Sequence, residues 1–336
     1  MGVWDSYRLR LQRKRWRIRA FRKRRELRPA VDRTGQIRKS DILLFATLRN
    51  EAMRLPWFLK YYRDLGVNHF LIVDNDSTDH GLAYLKRQED VSVWHTRASY
   101  KRARFGMDWM NWLLRKYGHD HWCLTVDPDE LLVFPFCDTR PIRALTDWLD
   151  ASSLRSFSAM LLDMYPKGRI DRQPYDPGQN PLEVANWFDA GNYRISRNAL
   201  YGNLWIQGGP RERAFFTDQP ERAPALNKIP LVRWDRKYTY VSSTHTLLPR
   251  GLNLTYDEYG GEKASGMLLH TKFLHSFSDK AEEELERKQH YGASKEYIAY
   301  AGGLKENPDL WCKWSEQYIN WRQLEILGLM SKGNWA

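Results

Sequence analysis

Three carboxylates stand between two apolar runs in the segment LTVDPDELLVF, residues 124–134. Alternate residues of an extended chain point to one face, so Asp127 and Asp129 are expected to aim at one point. Two like charges this close repel each other unless a proton or a cation lies between them. Mg²⁺ and Mn²⁺ prefer carboxylate and phosphate oxygens and need few protein ligands. The spacing predicts a metal held by Asp127 and Asp129 and completed by a diphosphate, with a solvated surface turn as the alternative. Glu130 is expected to support the metal indirectly or to form a salt bridge.

A second acidic cluster, VDNDSTD, covers residues 73–79. At the end of a strand, Asp74 or Asp76 can accept hydrogen bonds from the base or the ribose of a nucleotide. A calcium loop is excluded, because Asp79 stands where that loop needs glycine and Leu85 stands where it needs glutamate. The chain also lacks a Walker motif and a G-x-G-x-x-G motif, so other groups must hold a bound phosphate.

Both acidic clusters follow predicted strands of one sheet. Short apolar runs predict strands at 41–48, 69–75, 91–96 and 121–126. The segments between them predict helices at 55–66, 77–87 and 104–117, the second of them capped by Ser77. This alternation is typical of a parallel sheet in an α/β fold. Ligands bind at the carboxyl ends of the strands in such a sheet, so we expect the two clusters to face one crevice.

The second half of the chain is less regular. It contains a predicted loop at 166–190, predicted strands at 238–248 and 266–275, and two predicted helices, one from residue 278 and one at 308–327. We predict three regions along the whole chain. They are a basic arm over 1–38, an α/β domain over 39–276, and a helical region over 277–336 that packs on the domain.

Positive charge is concentrated near the amino terminus. The formal net charge is +12, and residues 8–28 hold twelve lysines and arginines against one acid, Glu26. Apolar side chains recur in this region at roughly helical spacing, namely Trp4, Tyr7, Leu11, Ile18 and Phe21. The pattern predicts a basic helix on an anionic membrane surface. A solvated basic tail is the main alternative, and phosphate contacts to nucleic acid are a weaker one that we do not expect to apply.

Cysteine usage and hydropathy indicate a compartment. Cys123, Cys137 and Cys312 lack the spacing of a zinc site and form no even framework, which favours a reducing environment. No apolar run approaches the roughly 18 residues of a spanning helix, and the charged amino terminus lacks the apolar core of a secretory signal. These features predict a cytoplasmic protein, peripheral on the cytoplasmic face of a membrane through its arm.

The segment ATLRNEAMRLPWFLKYYRDLGVNHFLIVDNDSTD, residues 46–79, is followed by DPDELL at 127–132. Together these motifs resemble the family-2-like glycosyltransferases, most strongly the branch with an R-N-E start and a D-x-D-E motif, over residues 41–135. The resemblance implies a GT-A fold, in which a nucleotide-binding α/β domain with a mostly parallel sheet is fused to an acceptor-binding half, here followed by C-terminal helices. Asn75 and Asp76 stand where common members have Asp and Gly.

The resemblance implies transfer of a sugar from a nucleoside-diphosphate sugar, expected to be a UDP-sugar, to a glycan or lipid-linked acceptor in cell-surface polysaccharide or glycoconjugate synthesis. Mn²⁺ or Mg²⁺ on Asp127 and Asp129 would stabilise the departing diphosphate. An inverting mechanism, which we expect, also needs a base for the acceptor hydroxyl. We predict Glu212, in the motif GGPRER, or Asp163, after an apolar run, in that role. A structural Glu212 paired with neighbouring arginines is the alternative.

Further residues are predicted to line the site. Arg49 and Glu51 follow the first strand and are expected at the nucleotide pocket, unless they only brace each other. Lys228 can neutralise phosphate. Either His270 or His245 can reach the metal or the diphosphate, as a histidine does in some GT-A enzymes, and we place His270 with the metal ligands. A lone histidine is more often structural.

Other classes of protein compete with glycosyl transfer. A D-x-D phosphohydrolase has the same order of strand and acids, but its motif follows the first strand and has Thr or Val where this chain has Leu131. A nucleotidyltransferase carries a glycine-rich basic loop after its first strand, which TLRNEAMRL at 47–55 lacks. A basic binding module without enzymatic activity leaves both acidic clusters unexplained.

Overall fold

A nine-stranded mixed sheet forms the centre of the computed structural model, which describes residues 2–256, 263–275 and 309–335. Its strands and those of three small two-stranded sheets are numbered along the chain as β1 (Arg28–Val31), β2 (Leu43–Leu48), β3 (His69–Asp74), β4 (Val91–His95), β5 (Trp122–Thr125), β6 (Glu130–Val133), β7 (Ser156–Asp163), β8 (Trp187–Asp189), β9 (Tyr193–Arg197), β10 (Leu204–Gly208), β11 (Asn227–Arg233), β12 (Thr239–Ser242), β13 (Thr246–Leu248), β14 (Gly266–His270) and β15 (Ser315–Gln317). The central sheet has the order β1-β4-β3-β2-β5-β11-β7-β14-β6.

The α-helices of the described residues lie between these strands and at both ends of the chain. They are α1 (Val3–Lys23), α2 (Leu55–Leu65), α3 (Gly81–Lys86), α4 (Met107–Tyr117), α5 (Ile142–Ala151), α6 (Gly209–Phe215) and α7 (Trp321–Ile326).

The four predicted parallel strands are confirmed. β2 pairs in parallel with β3 and β5, and β3 pairs in parallel with β4. The chain therefore builds outward from β2 to β4 and then returns to the other side of β2 with β5, which makes a switch point between β2 and β5. In the other half, β7 and β14 run in the direction of β2, whereas β6 and β11 run against it. The α/β class is confirmed, with a mixed sheet in which most strands share one direction.

Helices cover both faces of this sheet because its strands carry apolar side chains on both. Leu44 packs in one core with Phe58 of α2 and Leu145 of α5. The next residue, Phe45, points the other way and packs in a second core with Leu113 of α4. All six residues of β3 are buried, as expected for a strand whose sequence is a nearly continuous apolar run.

Two predicted elements differ from the structure. The strand predicted over 238–248 is a hairpin, in which β12 and β13 are joined by a turn that places Ser243 at a φ of 43°. The predicted helix after β3 begins at Gly81 rather than at Ser77. The Ser77 hydroxyl instead accepts a hydrogen bond from the Asn50 backbone N–H at 3.0 Å, and so joins the loops that follow β2 and β3.

The long C-terminal helix predicted over 308–327 is also wrong. The chain first forms β15, which pairs with β8, and only later α7. The side chain of Asn320 accepts hydrogen bonds from the backbone N–H groups of Arg322 and Gln323, so it starts a new helix instead of continuing an earlier one. The helix predicted from residue 278 lies outside the described residues.

The basic region predicted as an arm packs on the body of the protein. α1 contacts α4 and β12 along its length, and β1 adds to the edge of the central sheet as an antiparallel partner of β4. Arg19 of α1 forms an ion pair with the buried Asp108 of α4 at 2.7 Å. Among the residues that the structure describes, no helix combines the length and the apolar character needed to cross a membrane.

The end of α2 offers a test of this fold. Gly66 ends the helix at a φ of 105°, where its N–H donates to the carbonyl groups of Tyr62 and Arg63. An L-residue in this left-handed region costs about 1 kcal/mol, so Gly66→Ala should lower the free energy of unfolding by that amount in urea denaturation. The control is Gly35→Ala, because a Cβ at Gly35 meets nothing within 4 Å. Equal stability of both variants would contradict this account of the helix end.

Candidate active site

The carboxyl edge of the parallel strands gathers most of the predicted site residues, because β6 and β11 run against these strands and begin at the same edge. The residues collected there are Arg49 and Glu51 after β2, Asp74 and Asp76 at the end of β3, Asp127 and Asp129 after β5, Lys228 in β11, Asp163 in β7 and His270 in β14. Glu212 lies in α6, which contacts β7. The topology therefore brings together residues from all parts of the sheet.

A pocket opens at the switch point between β2 and β5. Two predicted site residues, Asp127 and Lys228, line it together with residues that the sequence analysis did not single out, namely Ala46, Thr47, Tyr100, Phe105, Met107, Met110, Thr125, Val126, Ser243 and Thr244. The pocket thus has one acid, one cation and several hydroxyl groups beside an aromatic and thioether wall.

Lys228 is the cation of this pocket and is almost fully buried. Its Nζ lies 2.9 Å from Oε1 of Glu130 and 3.5 Å from Oδ2 of Asp127. Burial lowers the pKa of Lys228, but Glu130 and Asp127 raise it by more, so the ammonium group stays charged. Burial raises the pKa of the Glu130 carboxyl to about 7, against the opposing effect of Lys228. Of the two roles predicted for Glu130, the structure shows the salt bridge.

Asp127 and Asp129 do not share one face, because the segment that holds them is a turn and not an extended strand. The Glu130 backbone N–H donates to the Asp127 carbonyl at 3.0 Å, with Pro128 at the position of a turn that proline favours. Asp127 faces Lys228, whereas Oδ2 of Asp129 lies 3.3 Å from Nε2 of His270. Burial raises the pKa of Asp129, but the His270 charge lowers it by more, and the net value is well below normal.

The acids at the sheet edge meet the requirements of a metal site only in part. Among residues 2–256, 263–275 and 309–335, no three His, Cys, Asp or Glu side chains are grouped so that they could hold a metal ion. Mg²⁺ and Mn²⁺ are nevertheless often held by one or two carboxylates and completed by water and phosphate. Asp127 fits that requirement, since its side chain is 51% exposed and lines the pocket. Asp129 faces His270 instead, so the structure does not place it beside Asp127 as the second ligand that the sequence predicted.

His270 bridges two carboxylates. Its Nδ1 lies 2.6 Å from Oδ1 of Asp163, and its Nε2 faces Asp129. Burial lowers the pKa of His270, but Asp129 and Asp163 raise it by more, so the protonated ring is favoured. A protonated ring donates from both nitrogens and has no lone pair for a metal. In this arrangement His270 orders the acids at the sheet edge, and it is not placed as the metal ligand that the sequence suggested.

The two candidate bases differ in their surroundings. Asp163 is buried and receives a second ion pair from Nε of Arg211 at 2.7 Å. Burial raises the pKa of Asp163, but Arg211 and His270 lower it by more, and a carboxylate with a lowered pKa is a weak base. Glu212 is buried in α6 and pairs through Oε2 with Arg194 at 2.8 Å. Its partner is therefore Arg194 and not the neighbouring Arg211 and Arg213, which pair with Asp163 and Asp189.

The paired glycines before Glu212 do allow a close approach, but the partner is the chain itself. Gly208 has a φ of 134°, and a Cβ at that position would lie 2.0 Å from the Asn192 carbonyl oxygen. This packing fixes the start of α6 and hence the position of Glu212.

The acids after β3 also differ in exposure. Asp74 is fully buried, and its Oδ2 lies 2.9 Å from Nδ1 of His95. Asp76 is about half exposed, with a φ of 59° that turns the loop, and its Oδ1 lies 3.3 Å from Nε of Arg97. Arg49 supports this loop by donating to the Asn75 carbonyl at 3.0 Å. Of the two acids, only Asp76 is accessible to a nucleotide.

The sequence predicts Glu51 beside the nucleotide. In the structure, its Oε2 atom lies 3.4 Å from Nε of Arg54. Arg54 is itself buried and donates to the backbone carbonyl and the hydroxyl of Thr271 at 2.8 and 3.0 Å. The Thr271 N–H in turn donates to the Asp129 carbonyl at 2.8 Å. This chain of contacts ties the loop after β2 to the acidic turn.

Sequence reasoning missed the hydroxyl groups of the pocket. Within the described part of the chain, the buried Oγ1 atoms of Thr47 and Thr244 have no hydrogen-bond partner. A buried polar atom without a partner costs free energy, so these hydroxyls are available to bind water or a ligand in the pocket. Thr47 directly precedes the LRNE motif, and Thr244 lies in STH beside His245, so both could have been found as polar residues ending apolar runs.

In contrast to His270, His245 has a neutral imidazole ring. Burial and the nearby charge of Lys228 lower the pKa of His245 to about 3, so its ring is neutral. Nδ1 contacts the Asn227 carbonyl and must therefore carry the proton, which leaves the lone pair on Nε2. His245 follows Thr244 of the pocket wall in the chain, at the turn between β12 and β13.

Comparison with known proteins adds no relative to this picture. No protein-family model matches the chain, and no curated protein matches it significantly.

The bridge made by His270 gives a prediction about pH. Because its folded-state pKa is raised, the two ion pairs stabilise the fold fully below the unfolded pKa of about 6.5 and are lost as the pH rises through the folded value. His270→Gln should lower the free energy of unfolding by about 3 kcal/mol at about pH 6 and should weaken its decline toward about pH 9. Urea denaturation at both pH values measures this, with the exposed His80→Gln as the control. A parallel pH dependence in His270→Gln and the wild type would contradict it.

Proposed function

We propose that the protein transfers a sugar from a nucleoside-diphosphate sugar to a glycan or lipid-linked acceptor, in a metal-dependent reaction at a GT-A-like site. The observation that carries the proposal is the pocket between β2 and β5, which presents Asp127 beside the buried cation Lys228. Ligands of open α/β sheets bind at this kind of switch point. An acid beside a cation suits a ligand that brings both phosphate and a divalent metal.

Lys228 would hold the diphosphate. It is buried, charged and fixed by Glu130, so it needs no reorganisation when negative charge develops on the leaving group. The free hydroxyls of Thr47 and Thr244 line the same pocket and can donate to phosphate or sugar oxygens.

Asp127 would hold the metal, and water and the diphosphate would complete its coordination. The bound ion would act as a Lewis acid on the departing diphosphate. The Asp127 side chain is half exposed in the pocket, so its substitution should reduce metal-dependent activity. The nucleoside would extend toward Asp76 and Arg97 at the end of β3, on the far side of β2 from β5.

Glu212 is the better of the two predicted bases for the acceptor hydroxyl. Asp163 is held by Arg211 and His270 with a lowered pKa, whereas Glu212 pairs with Arg194, whose side chain is 48% exposed. An incoming acceptor can displace that partner more easily than it can displace a buried pair.

Asp127→Asn tests the metal-dependent step. The variant keeps the size of the side chain but removes its charge, and we expect kcat/KM to fall by about 100-fold or more. The assay is a panel of nucleotide sugars with Mn²⁺ or Mg²⁺ that measures donor hydrolysis as well as transfer. Asp64→Asn, on the exposed face of α2, is the matched control. Unchanged turnover in Asp127→Asn would refute the proposal, and release of phosphate from simple phosphomonoesters would favour a phosphohydrolase.

Lys228→Met should reduce both the binding of UDP and the stability of the fold. It should weaken binding of UDP by about tenfold or more, since a hydrogen bond to a charged group is lost. It should also destabilise the fold, because Glu130 is left buried without its partner.

The double variant Lys228→Met/Glu130→Gln is the control for that experiment. It should recover most of the lost stability in urea denaturation but none of the lost affinity in calorimetric titration with UDP. Recovery of both would mean that Lys228 is only structural.

A further inference from the structure

α1 has two apolar sides, and only one of them packs on the protein. Leu9 and Ala20 are buried where α1 lies on α4. They are three helical turns apart and so share one side of the helix. Leu11 follows Leu9 by two residues, which is about 200° around the helix axis. It therefore faces solvent on the opposite side and is 47% exposed.

The solvent side carries a row of large apolar side chains, interrupted by Lys14 between Leu11 and Ile18, which we call the outward stripe. It consists of Trp4, Tyr7, Leu11 and Ile18, all of them exposed, with Trp4 83% exposed. Trp4, Leu11 and Ile18 recur every seven residues, or about every two turns, which keeps them on one line along the helix. Single exposed apolar residues are ordinary, but a row of this kind marks a surface that meets another apolar phase.

Basic side chains flank the outward stripe on both sides. The exposed charged residues of α1 are Arg8, Arg10, Lys14, Arg15 and Arg22. The single acid of the helix, Asp5, is not among the exposed positions. The partner of this face must therefore combine an apolar interior with negative charge at its surface.

A second copy of the helix does not meet that requirement. The outward stripe has the spacing of a coiled-coil seam, but five of the six positions beside the seam are basic, namely Arg8, Arg10, Arg15, Arg17 and Arg22. Pairing two such helices would set arginine against arginine along both edges, which is unfavourable. A nucleic acid would satisfy the arginines but would leave the apolar stripe in water.

The helix is also held in a fixed orientation. Arg19 pairs with the buried Asp108 at 2.7 Å, and Glu26 just beyond the helix accepts a hydrogen bond from Nε1 of Trp109 at 2.9 Å. Both partners belong to α4, whose first turn lines the pocket through Met107 and Met110. The outward stripe therefore cannot turn inward without breaking contacts to a wall of the pocket.

We propose that α1 lies flat on an anionic lipid surface, with Trp4, Tyr7, Leu11 and Ile18 among the acyl chains and the flanking arginines and lysine on the lipid phosphates. Amphipathic helices with this arrangement bind in the plane of the interface, and their affinity grows with the buried apolar area and with the charge of the lipid. α4, on which α1 packs, then joins the rest of the protein to the membrane-bound helix. This inference is independent of the reaction proposed for the pocket.

Vesicle flotation of the full chain tests the proposal. The wild type should float with vesicles of phosphatidylcholine and phosphatidylglycerol, less with phosphatidylcholine alone, and less at high salt. Trp4→Gln/Leu11→Gln removes half of the outward stripe without touching the packed side, and it should lower the partition coefficient by about tenfold. Equal flotation with both lipids, or equal flotation of variant and wild type, would overturn the proposal.

Two controls keep the result interpretable. Ile195→Gln changes an exposed apolar residue of β9, away from α1, and should leave flotation unchanged. Urea denaturation should give the same midpoint for the stripe variant and the wild type; if the double variant is unstable, Trp4→Gln alone carries the test. Tighter binding to a duplex oligonucleotide than to anionic vesicles, or dimerisation that Leu11→Gln abolishes, would also overturn the proposal.

Discussion

The turn from Asp127 to Glu130 joins β5 to β6, although β11, β7 and β14 lie between these strands in the sheet. In a flat sheet β5 and β6 would lie about 19 Å apart, but a turn holds its first and last Cα atoms within about 7 Å. The sheet must therefore curl until the carboxyl edge closes around the acidic turn. That closure brings Lys228 and His270 against Asp127, Asp129 and Glu130.

The charges at this edge stabilise one another in two groups. Lys228 holds Glu130 and Asp127 beside the pocket, and His270 holds Asp129 and Asp163 behind it. Buried charges are tolerated only when they are paired, so each group is fixed by its partners. The consequence for function is that one acid, Asp127, keeps an accessible carboxylate, while the others act as a rigid support that holds Asp127 and Lys228 in place.

The site and the basic helix are joined through α4. Its first turn lines the pocket, and its Asp108 and Trp109 hold the region around α1. A surface that carries α1 would therefore lie one helical layer from the pocket. This arrangement suits a reaction in which the acceptor is itself at a membrane, which agrees with the lipid-linked acceptors proposed above.

The sequence alone determined the four parallel strands, the helices between them and the placement of both acidic clusters at strand ends. Apolar runs and glycine stops such as Gly66 are local signals, and parallel strands always present their carboxyl ends together. Only the tertiary structure decided which charged side chains form ion pairs with one another. Lys228, Asp163 and His270 come from strands far along the chain, so their pairing with the acidic turn depends on a strand order that no local pattern carries. For the same reason only the structure shows that Asp127 and Asp129 face different partners, that Asp74 is buried, and that α1 packs on α4 with the outward stripe exposed.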